Sequence, residues 1–268
     1  VVYILTKQYF FLAGLPRAGN TLFASLMNQN PDIAVTGNSP VAELIHVTTK
    51  LYKDEILDNF PDTNSLDNVV KNIIPNYYEN WKEKYIIDRQ AWGHENVLQQ
   101  LKKHLINEIK IIVMVRPLEE VLASFIRLAQ TTDNNYLVNH SKDVEKQCDF
   151  LMQENGMIDL QLKGMKNLLK FENRGLSHFV EYNEFVNNTQ IELDKVYDFL
   201  GIDKFTHSLK TLKQVNLNGI MYDDDKYGME LHTIKTNSVS KSNYKVEDYL
   251  PPNIIEKCKS VNFWNDRY

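Results

Sequence analysis

Residues 14–21 read GLPRAGNT, and their spacing is that of a phosphate-binding loop. The form G-x-x-x-x-G-K-[ST] is met at Gly14, Gly19 and Thr21, but Asn20 stands where that pattern has lysine. An arginine, Arg17, sits three residues earlier instead. Upstream, YFFLAG (9–14) is an unbroken apolar run of strand length, the pattern of a parallel strand buried on both faces. Downstream, residues 21–28 place Leu22, Phe23 and Leu26 at helical spacing until the Asn30-Pro31 step ends the run. Strand, glycine loop and helix together make an anion site, because unpaired backbone N–H groups and the helix dipole both favour negative charge. Asn20 and Thr21 add side-chain donors, and Arg17 adds a permanent cation whose planar fork suits phosphate or sulfate oxygens.

Working outward, DIAVTG (32–37), EKYIIDR (83–89), KIIVMVR (110–116) and HFVEY (178–182) read as further strands. Helices are predicted over 40–57, 65–81, 95–105, 118–130 and 189–201, and across most of 141–170, with Pro75 expected to break or kink the second. PPNIIEKCKSV reads as a closing helix packed on the same core. VVYILTK, at the start, reads as an extension of the first strand, since Lys7 and Gln8 interrupt it and no A-x-A-like cleavage site follows. Strands alternating with helices predict an α/β fold, a central parallel sheet flanked by helices, as one domain over 1–268.

The chain has 268 residues, 43% of them hydrophobic, enough for a sizeable core. A formal net charge of -5 argues against non-specific nucleic-acid binding, so an anionic ligand has to be held by a local cluster of cations. No stretch approaches the roughly 20 apolar residues of a membrane span. Cys148 and Cys258 lack a C-x-x-C or histidine-rich companion, which predicts no zinc site and two free thiols in a reducing, cytoplasmic compartment.

Ligands of open parallel sheets bind beyond the carboxyl ends of the strands. Besides the loop, Asn38-Ser39, Asp88-Arg89 and Arg116 fall at such ends. Arg116 begins RPLEEVLAS, which puts Ser124 about two helical turns into the next helix. These residues resemble the sulfotransferases that use 3'-phosphoadenosine 5'-phosphosulfate (PAPS). PRAGNTL (16–22) is similar to their 5'-phosphosulfate loop, most closely in its tyrosylprotein and bacterial form, and Arg116 to Ser124 matches their 3'-phosphate motif R-x7-S. VEYNEFVNNTQIELDKVYDFLGI (180–202) is similar to the segment that places a tyrosine, here Tyr182, near the nucleotide. IIDR (86–89) resembles the strand that ends in an active-site lysine, with Arg89 in its place.

The resemblance implies a PAPS co-substrate, no metal, and sulfuryl transfer to a hydroxyl or amine. Arg17 would be catalytic, Ala18, Gly19, Asn20, Thr21 and Leu22 would hold the 5' end, and Arg116 with Ser124 the 3'-phosphate. Ser238 and Lys241, in SVSKS (238–242), resemble the late loop that closes over the nucleotide. The chain departs from the family in writing Arg116-Pro117 where R-D-P or R-N-P is usual. TGNSP (36–40) holds no acid where tyrosylprotein sulfotransferases have their glutamate, and Ala91 stands where cytosolic members have a histidine. Glu43 is the first candidate for the general base, His94 the second, and His46 lies on the same predicted helix as Glu43. Trp92 is placed to flank a cleft, and YDDDKYG (222–228) reads as a solvated acidic turn without the spacing of a calcium loop. Two rival functions stand beside this: a phosphate-loop kinase or nucleotide hydrolase with Asp88 holding magnesium, and a binding module without catalysis.

Overall fold

The computed structural model describes residues 7–104, 108–234, 238–241 and 243–267; the predicted extension of the first strand over 1–6 lies outside them. In chain order the elements are β1 (Gln8–Gly14), α1 (Asn20–Met27), β2 (Ile33–Asn38), α2 (Val41–Lys50), α3 (Ile56–Asn59), α4 (Thr63–Tyr77), β3 (Tyr85–Arg89) and α5 (Glu95–His104). There follow β4 (Ile111–Val115), α6 (Leu118–Ala129), α7 (Tyr136–His140), α8 (Val144–Leu151), α9 (Met157–Leu168), β5 (Ser177–Glu181), α10 (Tyr182–Asn187) and α11 (Thr189–Leu200). A short hairpin, β6 (Asn216–Leu217) with β7 (Ile220–Met221), and α12 (Pro252–Lys259) close the order.

Five strands form one sheet in the order β2-β3-β1-β4-β5, every pairing parallel. All five residues of β4, IIVMV, are buried, as β-branched and apolar side chains covered on both faces should be. Each such side chain contributes roughly 1.5–3 kcal/mol by leaving water. The late residues Met229, Leu231, Leu250, Ile254 and Trp264 join the same apolar cluster as β1 and β4.

Two local readings are corrected. The helix predicted over 40–57 ends at Lys50 and gives way to a tight turn and α3. Pro75 does not break its helix: α4 continues to Tyr77, so the proline, which offers no N–H to the Lys71 carbonyl, sits in the last turn with little helix beyond it to kink. The turn at Gly201 stops α11 in the left-handed conformation, as its sequence predicts.

Candidate active site

From β1 the chain runs to β2 at one edge of the sheet, and from the adjacent β4 it runs to β5 at the other, which opens a crevice beyond the carboxyl ends of β1 and β4. The loop 14–21 occupies that point. Gly14, at φ 123°, lies so close to β4 that a Cβ would sit 2.1 Å from the Met114 carbonyl oxygen; only glycine fits. At Gly19, φ 87°, a Cβ would meet the Tyr182 ring at 2.8 Å, so the missing side chain lets that ring lie against the loop.

Arg17 itself takes a left-handed φ of 59°, a conformation that costs a non-glycine residue on the order of 1 kcal/mol or more. The surroundings hold it there. Arg116 Nη1 donates to the Arg17 carbonyl at 3.1 Å, Arg17 Nε donates to Ser124 Oγ at 3.3 Å, and Arg17 Nη1 donates to the Leu231 carbonyl. Burial, then the neighbouring Arg116, pulls the Arg17 pKa down to about 10, which leaves the group cationic at neutral pH. Asn20, buried, spends its amide on the Leu15 carbonyl at 2.8 Å and thereby fixes the loop. Among the described residues, the backbone N–H groups of residues 17–22 make no hydrogen bond to protein. They are the free donors of the loop and of the first turn of α1.

Arg17 and Arg116 share one cavity of about 640 Å³. Arg89, Arg127 and Lys241 also line it, and no aspartate or glutamate is among its described lining residues. In a chain of net charge -5 this is a strong local concentration of positive charge, screened from the surface acids by depth. Arg116 is buried and held on several sides: Nε pairs with Glu120 Oε2 at 2.9 Å, Nη2 donates to the Tyr244 hydroxyl at 3.1 Å, and the guanidinium lies 4.2 Å from the Tyr182 ring centroid. Its orientation is therefore set by protein before any ligand arrives. Arg127, one turn beyond Ser124 on α6, has a buried Nε without a protein partner among the described residues. An orphaned guanidinium donor in a cationic cavity is the chemistry of a site for a multiply charged anion.

Of the residues expected from sequence, Arg17, Gly19, Asn20, Thr21, Leu22, Arg89, Arg116, Ser124, Tyr182, Ser238 and Lys241 all line this cavity. Ala18 does not; it is fully buried, and only its backbone N–H is available. Glu43 and His94 also fail to line it, as does His46. Glu43 is exposed on α2, and the His94 carbonyl accepts from Leu98 N at the start of α5, so both belong to helix surfaces and ends. Trp92 does not flank the cleft: fully buried, it donates Nε1 to the Asp88 carboxylate at 2.9 Å. Asp88 likewise points away from the cavity. Its carboxylate accepts from Ser39 at 2.6 Å, from Tyr78 and from Trp92, and burial raises its pKa to about 6.

Sequence reasoning missed Arg127, Gln161, Tyr244 and the lining histidine His232. Gln161 on α9 reaches the loop, accepting from Gly14 N at 3.2 Å. Arg127 follows Ser124 by one turn of α6 but lies outside the R-x7-S pattern, and no motif announces Gln161, Tyr244 or His232, which come from later in the chain.

The Sulfotransferase family model matches residues 10–207. Among solved structures, the sulfotransferase domain from the curacin biosynthetic pathway is similar at 14% identity, with 96% of this chain and 98% of that one covered and a TM-score of 0.58. Mouse sulfotransferase SULT7A1, complexed with PAP, is 14% identical over 97% of this chain and 85% of its own, with a TM-score of 0.55. Retinol dehydratase, in a complex with retinol and PAP, is 12% identical over 98% and 82%, with a TM-score of 0.51. No curated protein sequence matches the chain.

Proposed function

The chain belongs to the sulfotransferase family, and from its cationic cavity we infer that it transfers a sulfuryl group from PAPS to a hydroxyl or amine acceptor. The observation that carries this reading is the shared cavity: the two arginines expected to grip opposite ends of a bisphosphorylated adenosine line one space, with Ser124 accepting from Arg17 there. PAPS supplies an activated sulfuryl group on a phosphate leaving group. The loop's free N–H donors and Thr21 would hold the 5' end. Arg17 would stabilise the negative charge that develops on the oxygen bridging sulfur and phosphorus, a role for which one donor is worth about 10²- to 10³-fold in rate. Arg116, Ser124 and Arg127 would take the 3'-phosphate, and the Tyr182 ring, packed between Gly19 and Arg116, would fix the depth of the nucleotide. Arg89 stands at the acceptor side, where its Nη1 donates to the Tyr222 hydroxyl at 2.9 Å.

The kinase reading is not favoured, because Asp88 is sealed in the core with its oxygens taken by three donors, unlike a carboxylate offered to a metal. No described helix is long and apolar enough to cross a membrane, and the buried free thiols of Cys148 and Cys258 support a reducing, cytoplasmic setting. Incubation of the purified protein with PAPS, a chelator and a panel of alcohols, phenols and amines should release 3',5'-ADP in step with a sulfated product. Release that requires ATP and magnesium instead would contradict the reading, and binding of 3',5'-ADP with no turnover of any acceptor would leave a binding module.

A further inference from the structure

In-line attack by an alcohol needs a group that takes its proton, and the cavity's lining narrows the choice. Among its described residues there is no aspartate or glutamate, and His232 is the one histidine. Tyr182 and Tyr227 also line it, but Tyr182 is packed between Gly19 and Arg116 and Tyr227 stacks edge-on against Tyr136. His232 is held by a built arrangement. Its Nδ1 lies 2.7 Å from Asp224 Oδ1, its backbone N–H donates to Asp224 Oδ2 at 2.8 Å, and its ring stacks on Tyr222 at 4.0 Å with an interplanar angle of 3°. The side chains of His232 and Asp224 are only 14% and 15% exposed.

This geometry assigns the tautomer. An ionised carboxylate only accepts, so Nδ1 carries the hydrogen, and Nε2 keeps its lone pair. Among the described residues Nε2 makes no hydrogen bond to protein. Tyr222, which fixes the ring plane, also accepts from Arg89, so the imidazole is tied to the strand end that carries the acceptor-side cation.

We propose that His232 is the general base of sulfuryl transfer, its Nε2 taking the proton of a hydroxyl acceptor while Asp224 orients the ring through Nδ1. The proposal rests on the sulfotransferase reading. In the step, the acceptor oxygen forms a bond to sulfur and the bond from sulfur to the bridging oxygen breaks. Its electron pair stays on that oxygen, and the acceptor's proton passes to Nε2, giving an imidazolium that later loses it to solvent. The groups facing His232 are Asp224 and Tyr222 from the 222–228 turn, Arg89 from β3 and Arg17 from the loop. Burial lowers its pKa from the ordinary value, Asp224 opposes this, and the two arginines add to it, so the free base predominates at neutral pH. YDDDKYG is thus more than a solvated turn: its Asp224 and Tyr222 hold the proposed base.

The test compares wild type with His232→Gln and Asp224→Asn in 3',5'-ADP release from PAPS, using a panel of primary alcohols and 4-nitrophenol, with 3',5'-ADP affinity measured for each protein as the check on folding. Loss of a positioned base should lower kcat with alcohols by about 10²- to 10⁴-fold while nucleotide affinity stays close to wild type. The acid-side fall of the wild-type pH profile should vanish in His232→Gln, and the loss should shrink with 4-nitrophenol, which ionises without help. Asp224→Asn, whose amide favours the tautomer with hydrogen on Nε2, should also lower kcat rather than raise KM. Free imidazole should partly restore His232→Ala. Alcohol turnover of His232→Gln within tenfold of wild type, or an unchanged acid limb, would overturn the assignment while leaving the transferase intact. A wild type that binds 3',5'-ADP but turns over no member of the panel would overturn the reading beneath it.

Discussion

The cavity is built by two unlike regions. One is the carboxyl edge of the sheet, where the loop after β1 and the start of α6 bring Arg17, Arg116 and Ser124 together. The other is made by residues 222–234, 238–241 and 243–244, which hold only one short turn of helix and lay Tyr222, Asp224, His232 and Tyr244 across that edge. The first holds its side chains by backbone geometry: β1 and β4 approach so closely that only glycine fits at position 14. The second is held by side-chain bonds to the first, Tyr244 to Arg116 and Tyr222 to Arg89. The proposed charge recognition therefore sits on strand ends, and the proposed proton chemistry sits on a strap that those same charges fasten.

Breaking the rigid region should have the largest effect. Arg17→Ala should reduce kcat by about 10²- to 10³-fold, read as initial rate at saturating PAPS, whereas Arg17→Lys should keep part of it by keeping the charge. Arg116→Ala removes both the proposed phosphate contact and the Tyr244 anchor. Calorimetry should show 3',5'-ADP affinity falling by about 10²-fold, the size expected when one partner of a desolvated charge contact is deleted. If instead nucleotide binding survives Arg116→Ala and only proteolysis of the strap increases, the division between the regions is wrong.

The buried Asp88 sharpens the contrast between a carboxylate of the core and Asp224 at the cavity. Its folded pKa, about 6, lies above the ordinary aspartate value, so the folded state binds the proton more tightly than the unfolded one. Stability from this group is present below about pH 4 and is lost as pH rises through 6, by on the order of 2 kcal/mol. Urea unfolding from pH 4 to 7 should show that decline in wild type and a flatter profile in Asp88→Asn. The smallest effect belongs to one strap fastening: Tyr244→Phe removes the hydroxyl that accepts from Arg116 and donates to the Glu120 carbonyl, and loss of the Arg116 bond, worth about 1 kcal/mol, should weaken 3',5'-ADP binding about fivefold.

The same division explains what could be read from the sequence. GLPRAGNT and RPLEEVLAS are contiguous, and the physics that makes them a site is local: a strand of buried residues, a turn requiring glycine, a helix start with free donors. The parallel sheet was legible for the same reason. His232 was not legible, because its environment is made by partners scattered along the chain; Arg89 and Tyr222 are 133 residues apart, and Arg17 and Leu231 are 214 apart. Glu43 and His94 lie near the motifs in sequence, but Glu43 is on the exposed face of α2 and His94 immediately precedes α5, and neither lines the cavity.

The central claim, that Arg17 and Arg116 grip two ends of one bisphosphorylated nucleotide, is tested most directly by calorimetric titration of wild type, Arg17→Ala and Arg116→Ala with 3',5'-ADP, 5'-AMP, and ATP plus magnesium. The account predicts that wild type prefers 3',5'-ADP and that Arg116→Ala erases the advantage of the 3'-phosphate, so that 3',5'-ADP and 5'-AMP bind alike. Equal wild-type affinity for 3',5'-ADP and 5'-AMP, or tighter binding of ATP with magnesium, would contradict it.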